Sequence, residues 1–165
     1  MPAITITATD FSRAEHCTAF IDLLDHYARD PMGGGKGLCD EARSHLTGRL
    51  AARSDCVSLL AFVDGQAVGL LNAFEGFSTF AARPLLNIHD VVVHADWRGR
   101  GISRTLFAAA EDLARQRNCC KLTLEVLSGN VVARSAYAAC GFTGYELDPQ
   151  AGQAIFLEKK LAARI

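Results

Sequence analysis

The sequence predicts a three-layer α/β (α+β) sandwich, with helices on both faces of a mixed, mostly antiparallel central sheet. Two observations carry that prediction. Two apolar runs, Val57–Val63 and Ala67–Phe74, flank Asp64-Gly65, a dipeptide suited to the tight turn of an antiparallel hairpin. Further on, strand-like and helix-like stretches alternate from Leu85 to Cys140, which demands a parallel crossover. At 165 residues, half of them hydrophobic, the chain reads as a single domain over residues 1–165, able to bury a real core.

The elements follow in order. Ala3–Ala8 alternates apolar residues with threonine, as a half-buried strand does. Ser12 and Glu15 have the spacing of a capping box, opening a helix to about Arg29 with Phe20, Ile21, Leu23, Leu24 and Tyr27 as its apolar stripe. Pro31–Gly37 breaks the pattern, and Asp40 to about Arg53 reads as a second helix with Ala42, Leu46 and Leu50 on one side. After the hairpin come a strand at Leu85–Val93, a helix at Arg100–Arg117, a strand at Lys121–Leu127 and a short helix at Asn130–Cys140. Two last strands are expected near Phe142–Leu147 and Ala154–Lys159.

Composition narrows the partners. Net charge is -1, which gives no global field to attract nucleic acid or a membrane surface. No apolar run approaches the roughly 20 residues that span a bilayer, and Met1–Asp10 lacks the features of a signal peptide. The six cysteines (17, 39, 56, 119, 120, 140) form no Cys-x-x-Cys pair, and the five histidines are scattered. No metal site is expected, and the cysteines read as reduced, mostly buried thiols of a cytoplasmic protein.

The most informative segment is Asp96-Trp97-Arg98-Gly99-Arg100-Gly101-Ile102-Ser103. It lies where a strand hands over to a helix N-terminus, whose unpaired N–H groups and positive dipole end attract an anion. Glycines there permit positive φ, so successive N–H groups can form a nest around phosphate.

Together with Ile88–Val93 before it and Asn130, Ala133, Tyr137 and Gly141-Phe142 after it, this segment resembles the GNAT N-acetyltransferases. The likeness is strongest from Leu85 to about Phe142. It departs at Ser103, where the family's loop has Gly or Ala; serine is small and adds a hydroxyl for a phosphate oxygen. The resemblance implies acetyl-coenzyme A as co-substrate, with its pyrophosphate on Arg98, Gly99, Arg100, Gly101, Ile102 and Ser103. It further implies a splayed parallel strand pair, with the pantetheine arm along main-chain groups of Val91 and Val93 and beside Asn130. As a residue type, Asn130 equally suits a helix N-cap.

In that family Tyr137 would be the general acid for the departing thiolate; a phenol keeps its proton at neutral pH. Leu85–Asp90 is similar to a stretch of the polyamine-type acetyltransferases, with His89 where they carry glutamate. A histidine there suits general base catalysis, and Glu75, Glu125, Asp90 or water are rivals. Strict alternation puts His89 on the face of Val91 and Val93, and Asp90 on that of Ile88 and Val92. Direct transfer to an amine needs no covalent enzyme intermediate; holding the two reactants together supplies much of the rate.

The expected acceptor is a primary amine on a small molecule or peptide, its identity open, and a homodimer is the expected assembly. A non-catalytic acyl-coenzyme A-binding module is the alternative reading. Gly33–Gly37 follows Pro31 rather than a strand and lacks P-loop spacing, so it reads as a mobile loop near the acceptor side. Phe77 and Phe80 would line the same pocket or an interface.

Overall fold

The computed structural model describes residues 3–145, 148, 150, 152 and 154–161. Five strands form one sheet in the order β1-β2-β3-β4-β5: β1 Ile4–Ala8, β2 Cys56–Val63, β3 Gln66–Ser78, β4 Arg83–Val93 and β5 Leu122–Leu124. The first four are mutually antiparallel, while β4 and β5 run parallel. Helices α1 (Ala14–Arg29) and α2 (Asp40–Ala51) precede the hairpin. Helix α3 (Ile102–Gln116) makes the β4-to-β5 crossover, and α4 (Val131–Ala139) follows β5. The expected three-layer architecture is the one observed.

The layers follow from burial on both faces of the sheet. Leu59, Ala61 and Val63 of β2 meet Ile102, Leu106, Phe107 and Ala110 of α3. Leu60 points the other way, onto Phe20, Leu23 and Leu24 of α1 and Leu50 of α2. A strand covered twice has no polar face, so Val57–Val63 is a nearly continuous apolar run. The turn between β2 and β3 holds Asp64 at φ 49° and Gly65 at φ 81°, as the dipeptide predicts.

Helix α3 approaches the sheet closely because Gly69 has no side chain. A Cβ there would lie 3.0 Å from Ile102 Cγ2, 3.2 Å from Leu106 Cδ1 and 3.2 Å from the Val92 carbonyl oxygen. Gly69→Val therefore overpacks this contact and lowers stability by about 1–3 kcal/mol, readable as a lower urea midpoint at unchanged slope.

Several expectations differ from the structure. Ser12 does not cap α1: its N–H and hydroxyl both donate to Asp10 Oδ1, at 2.9 and 2.6 Å, and Arg13 takes the cap position without a side-chain bond. The Asp10 carboxylate, two residues away, is the stronger local acceptor. Next, the cysteines are unpaired, but five are only half-buried and Cys39 is exposed. Finally, Phe142–Tyr145 and residues 154–161 are irregular rather than strands; Glu146 and Leu147 lie outside the described residues. A strand persists only where its main-chain groups find a partner, and one long bond, from Ala154 N–H to the Tyr145 carbonyl at 3.5 Å, joins these segments.

Candidate functional site

The parallel pair is short. Only Leu86–Ile88 of β4 pair with Leu122–Leu124 of β5, yet β4 runs on to Val93. Beyond Ile88 the strands part, and a cavity of about 680 Å³ opens between the end of β4, the loop into α3, and α4. Its wall includes His89, Val91, Val93, Arg98, Gly99, Gly101, Ile102, Ser103, Asn130 and Tyr137. Of the residues the sequence singled out for catalysis or cofactor, Arg100 lies outside this wall, as do the rival bases Asp90 and Glu75.

The loop is shaped for close approach. Gly99 and Gly101 hold φ 76° and 80°, and among the described residues no atom beyond the adjoining backbone lies within 4 Å of where a Cβ would be on either. Gly101 is the N-cap residue of α3, and no side chain caps that end. The first N–H groups of α3 are therefore the natural donors to an anion. Ile102 contributes main chain only, since its side chain is buried in the core. Both arginines have partners within the protein. Arg98 donates from Nε to the Val93 carbonyl at 3.3 Å and from Nη2 to Asp30 Oδ2 at 3.1 Å. Arg100 lies over the Trp97 ring, 4.7 Å from its centroid, and donates to the Asp96 carbonyl.

Strict alternation fails within β4. Asn72 of β3 faces Asp90 while Ala73 faces Ile88, so His89 is the extra residue of a β-bulge. A bulge reverses the parity of everything after it. Ile88, Val91 and Val93 accordingly share the α3 face, and Val92 packs toward α1. This corrects the pairing of Asp90 with Ile88, and that of His89 with Val91 and Val93. The His89 ring sits edge-on to Phe74, which packs on the α1 side of the sheet, with centroids 5.1 Å apart. Asp90 Oδ2 accepts a 3.1 Å bond from Asn72 Nδ2, yet burial raises its carboxyl above the ordinary range.

Tyr137, on α4, is held edge-on against Phe107, with ring centroids 5.5 Å apart, and near Phe142. Burial, and secondly Tyr27 nearby, push its phenol above the ordinary value of 10.0. Asn130 caps α4, its side-chain oxygen accepting from the Ala133 N–H at 3.1 Å. Both roles expected of this position are compatible with where it stands.

The rival carboxylates separate. Glu125 lines the cavity, 3.4 Å from Asn87 Nδ2. Glu75 is not on the wall; it pairs with Arg117 at 3.1 Å. Phe77 and Phe80 also stand away from it, 62% and 104% exposed near the β3–β4 turn. Wall residues outside the sequence reading of the site include Gly129, Val131, Val132 and Ala136 around the start of α4, Tyr27 in the apolar stripe of α1, Met32 in a 3₁₀ turn at Pro31–Gly33, and Asp30, which caps that turn. The Asp30-Pro31 step is the one local signal, since aspartate before proline favours such a turn. A second concavity, of about 770 Å³ and lined by Asp22, Asp25, His26 and His94 among others, holds none of the expected site residues.

Helix α1 is also tied to the loop by His26, whose Nε2 accepts from the Ala95 N–H at 3.2 Å and whose ring stacks on His94 at 4.4 Å. Burial first, then His94 and Arg98, lower its pKa below 6.5, against the opposite pull of Asp30 and Asp96. Below pH 6.5 the unfolded chain thus binds protons at this position that the folded chain refuses, and the contribution to stability is lost as pH falls. His26→Gln flattens the pH dependence of stability below pH 6.5, as denaturant titrations at successive pH values would record.

Comparisons with known proteins show the family and the fold. The family model described as acetyltransferase (GNAT) family matches residues 16–142. A streptothricin acetyltransferase of Streptomyces lavendulae is 40% identical over 87 residues, covering 53% of this chain and 46% of that protein. An aminoglycoside N(6')-acetyltransferase of Stenotrophomonas maltophilia is 28% identical over 106 residues, 62% of this chain and 69% of the relative. The chain thus spans about half of the first relative's length. Among solved structures, an aminoglycoside N-acetyltransferase in complex with CoA superposes with a TM-score of 0.74 at 19% identity, covering 98% of this chain and 97% of that one.

Proposed function

The chain belongs to the acetyltransferase (GNAT) family, and from that premise we propose that it moves the acetyl group of acetyl-coenzyme A directly onto a primary amine. One observation carries the reading: a single cavity brings together the unpaired end of β4, the glycine loop at the α3 N-terminus and the Tyr137 phenol.

The residues present fit the cofactor. The open space over Gly99 and Gly101 admits a pyrophosphate against main-chain donors, with Ser103 beside it. The gap between β4 and β5 is lined by Val91, Val93 and Asn130, suited to an extended arm. When bound, acetyl-coenzyme A supplies an activated acetyl group as a thioester.

The chain's part is to position and to move protons. Fixing the amine in the cavity replaces a bimolecular encounter with an oriented one. Tyr137, a phenol whose phenolate burial disfavours further, holds a proton at its oxygen for a leaving sulfur. His89 stands on the wall as the acceptor of the amine's proton, and Glu125 is the nearest rival on that wall.

The relatives favour a small, polar, amine-rich acceptor such as an aminoglycoside or streptothricin. The Leu85–Asp90 likeness adds polyamines to that set. A homodimer belongs to the same reading: Ile155, Phe156 and Leu157 are 77%, 77% and 79% exposed, apolar surface that a second copy would cover. The function is tested by following thiol release from acetyl-coenzyme A with a panel of aminoglycosides, streptothricin, polyamines and amino-terminal peptides. Amine-dependent release supports transfer; the absence of release with every amine in the panel, while coenzyme A binds, favours the non-catalytic module.

A further inference from the structure

Asp30 holds two parts of the cavity wall with one carboxylate. Oδ1 accepts the Met32 N–H at 2.9 Å and so caps the turn Pro31–Gly33. Oδ2 accepts from Arg98 Nη2 at 3.1 Å, across 68 residues of chain. Arg98 is fixed in turn to the end of β4 through the Val93 carbonyl. The Asp30 carbonyl gathers the rest of the turn, accepting from Gly33 N–H at 2.8 Å and Gly35 N–H at 3.1 Å.

The turn has no slack against α1. A Cβ on Gly33 would lie 2.0 Å from the Tyr27 carbonyl oxygen, so this segment fits only as glycine and moves with Asp30. Met32 and Tyr27 both face the cavity. The Met32 N–H first, then Arg98, hold the Asp30 carboxyl below its ordinary range and favour the carboxylate.

We propose that Asp30 is a positioning residue that transmits occupancy of the Arg98–Ser103 loop to the Pro31–Gly33 turn, so that cofactor binding firms the opposite wall of the cavity. The proposal rests on the cofactor reading given above. A guanidinium carries five N–H donors in a rigid plane. Nε and Nη2 are engaged here, and the remaining donors suit an anion seated on the loop. An anion there clamps the guanidinium between two negative groups, and Asp30, with its turn, is held more tightly.

The test is hydrogen exchange at the amides of Met32, Gly33, Gly35 and Lys36, with and without saturating coenzyme A, in the wild type, Asp30→Asn and Asp30→Ala. Thermal melting run alongside reports whether coenzyme A binds. In the wild type coenzyme A slows exchange about 5-fold or more, in line with a typical coupling between sites. In Asp30→Asn, which keeps an oxygen for Met32 but loses the charge, the ligand still raises Tm and the slowing falls below about 2-fold. Asp30→Ala exchanges fast with or without ligand. If coenzyme A raises the wild-type Tm and leaves these amides unchanged, or speeds them, the link is wrong while the cofactor site stands; equal slowing in Asp30→Asn is as damaging. No Tm shift in the wild type overturns the cofactor site and this inference together.

Discussion

Tyr137→Phe lowers kcat by about 100-fold or more, the scale of a lost general acid, while the affinity for coenzyme A stays within a factor of a few. The asymmetry follows from the geometry. Phenylalanine preserves the packing against Phe107 and Phe142 and nearly all the volume of the wall, and removes only the hydroxyl with its proton. Because that proton is needed only as the sulfur departs, its loss appears in kcat and not in binding. Steady-state rates on whichever amine the panel identifies, with calorimetric titration of coenzyme A, separate the two quantities. An unchanged kcat would remove Tyr137 from the chemistry and reopen the question of the acid.

Gly101→Val removes about half or more of the stabilisation by coenzyme A. The residue holds φ 80° at the first turn of α3, a conformation that a β-branched side chain resists by about 1–3 kcal/mol. Relief of that strain turns the adjoining N–H groups away from the space where the phosphates belong. A ligand at a hundredfold its Kd stabilises a protein by roughly 2.7 kcal/mol; a tenfold loss of affinity leaves about 1.4. The variant is expected at or below the lower figure in paired melts with and without coenzyme A. Retention of the full shift would mean that the α3 N-terminus does not hold the cofactor.

Much of this was legible in the chain, and the unread parts share a cause. The Asp64-Gly65 turn, the apolar run of β2 and the strand–glycine loop–helix order of 88–117 are local patterns, and the sheet follows them. The bulge at His89 is different: it exists in the register between β4 and β3 and leaves no mark in the sequence of either. It is also what sets His89 and Asp90 apart from the expected faces. The partner of Arg98 was equally hidden, since Asp30 lies 68 residues away and reads locally as a turn former. Ser12 misled because Asp10, not the helix, claims its donors. The C-terminal segments Phe142–Tyr145 and 154–161 have no ladder of main-chain bonds among the described residues, and propensity without a pairing edge does not make a strand.

The account turns on the cavity between β4, the glycine loop and α4 being an acyl-coenzyme A site, and thermal melting with acetyl-coenzyme A, coenzyme A and ATP, each well above any reasonable Kd, tests it most directly. A clear rise in Tm with both coenzyme A species and none with ATP is the expected result. No rise with either coenzyme A species, or an equal rise with ATP, would contradict the assignment of Arg98–Ser103 and the proposed acetyl transfer with it.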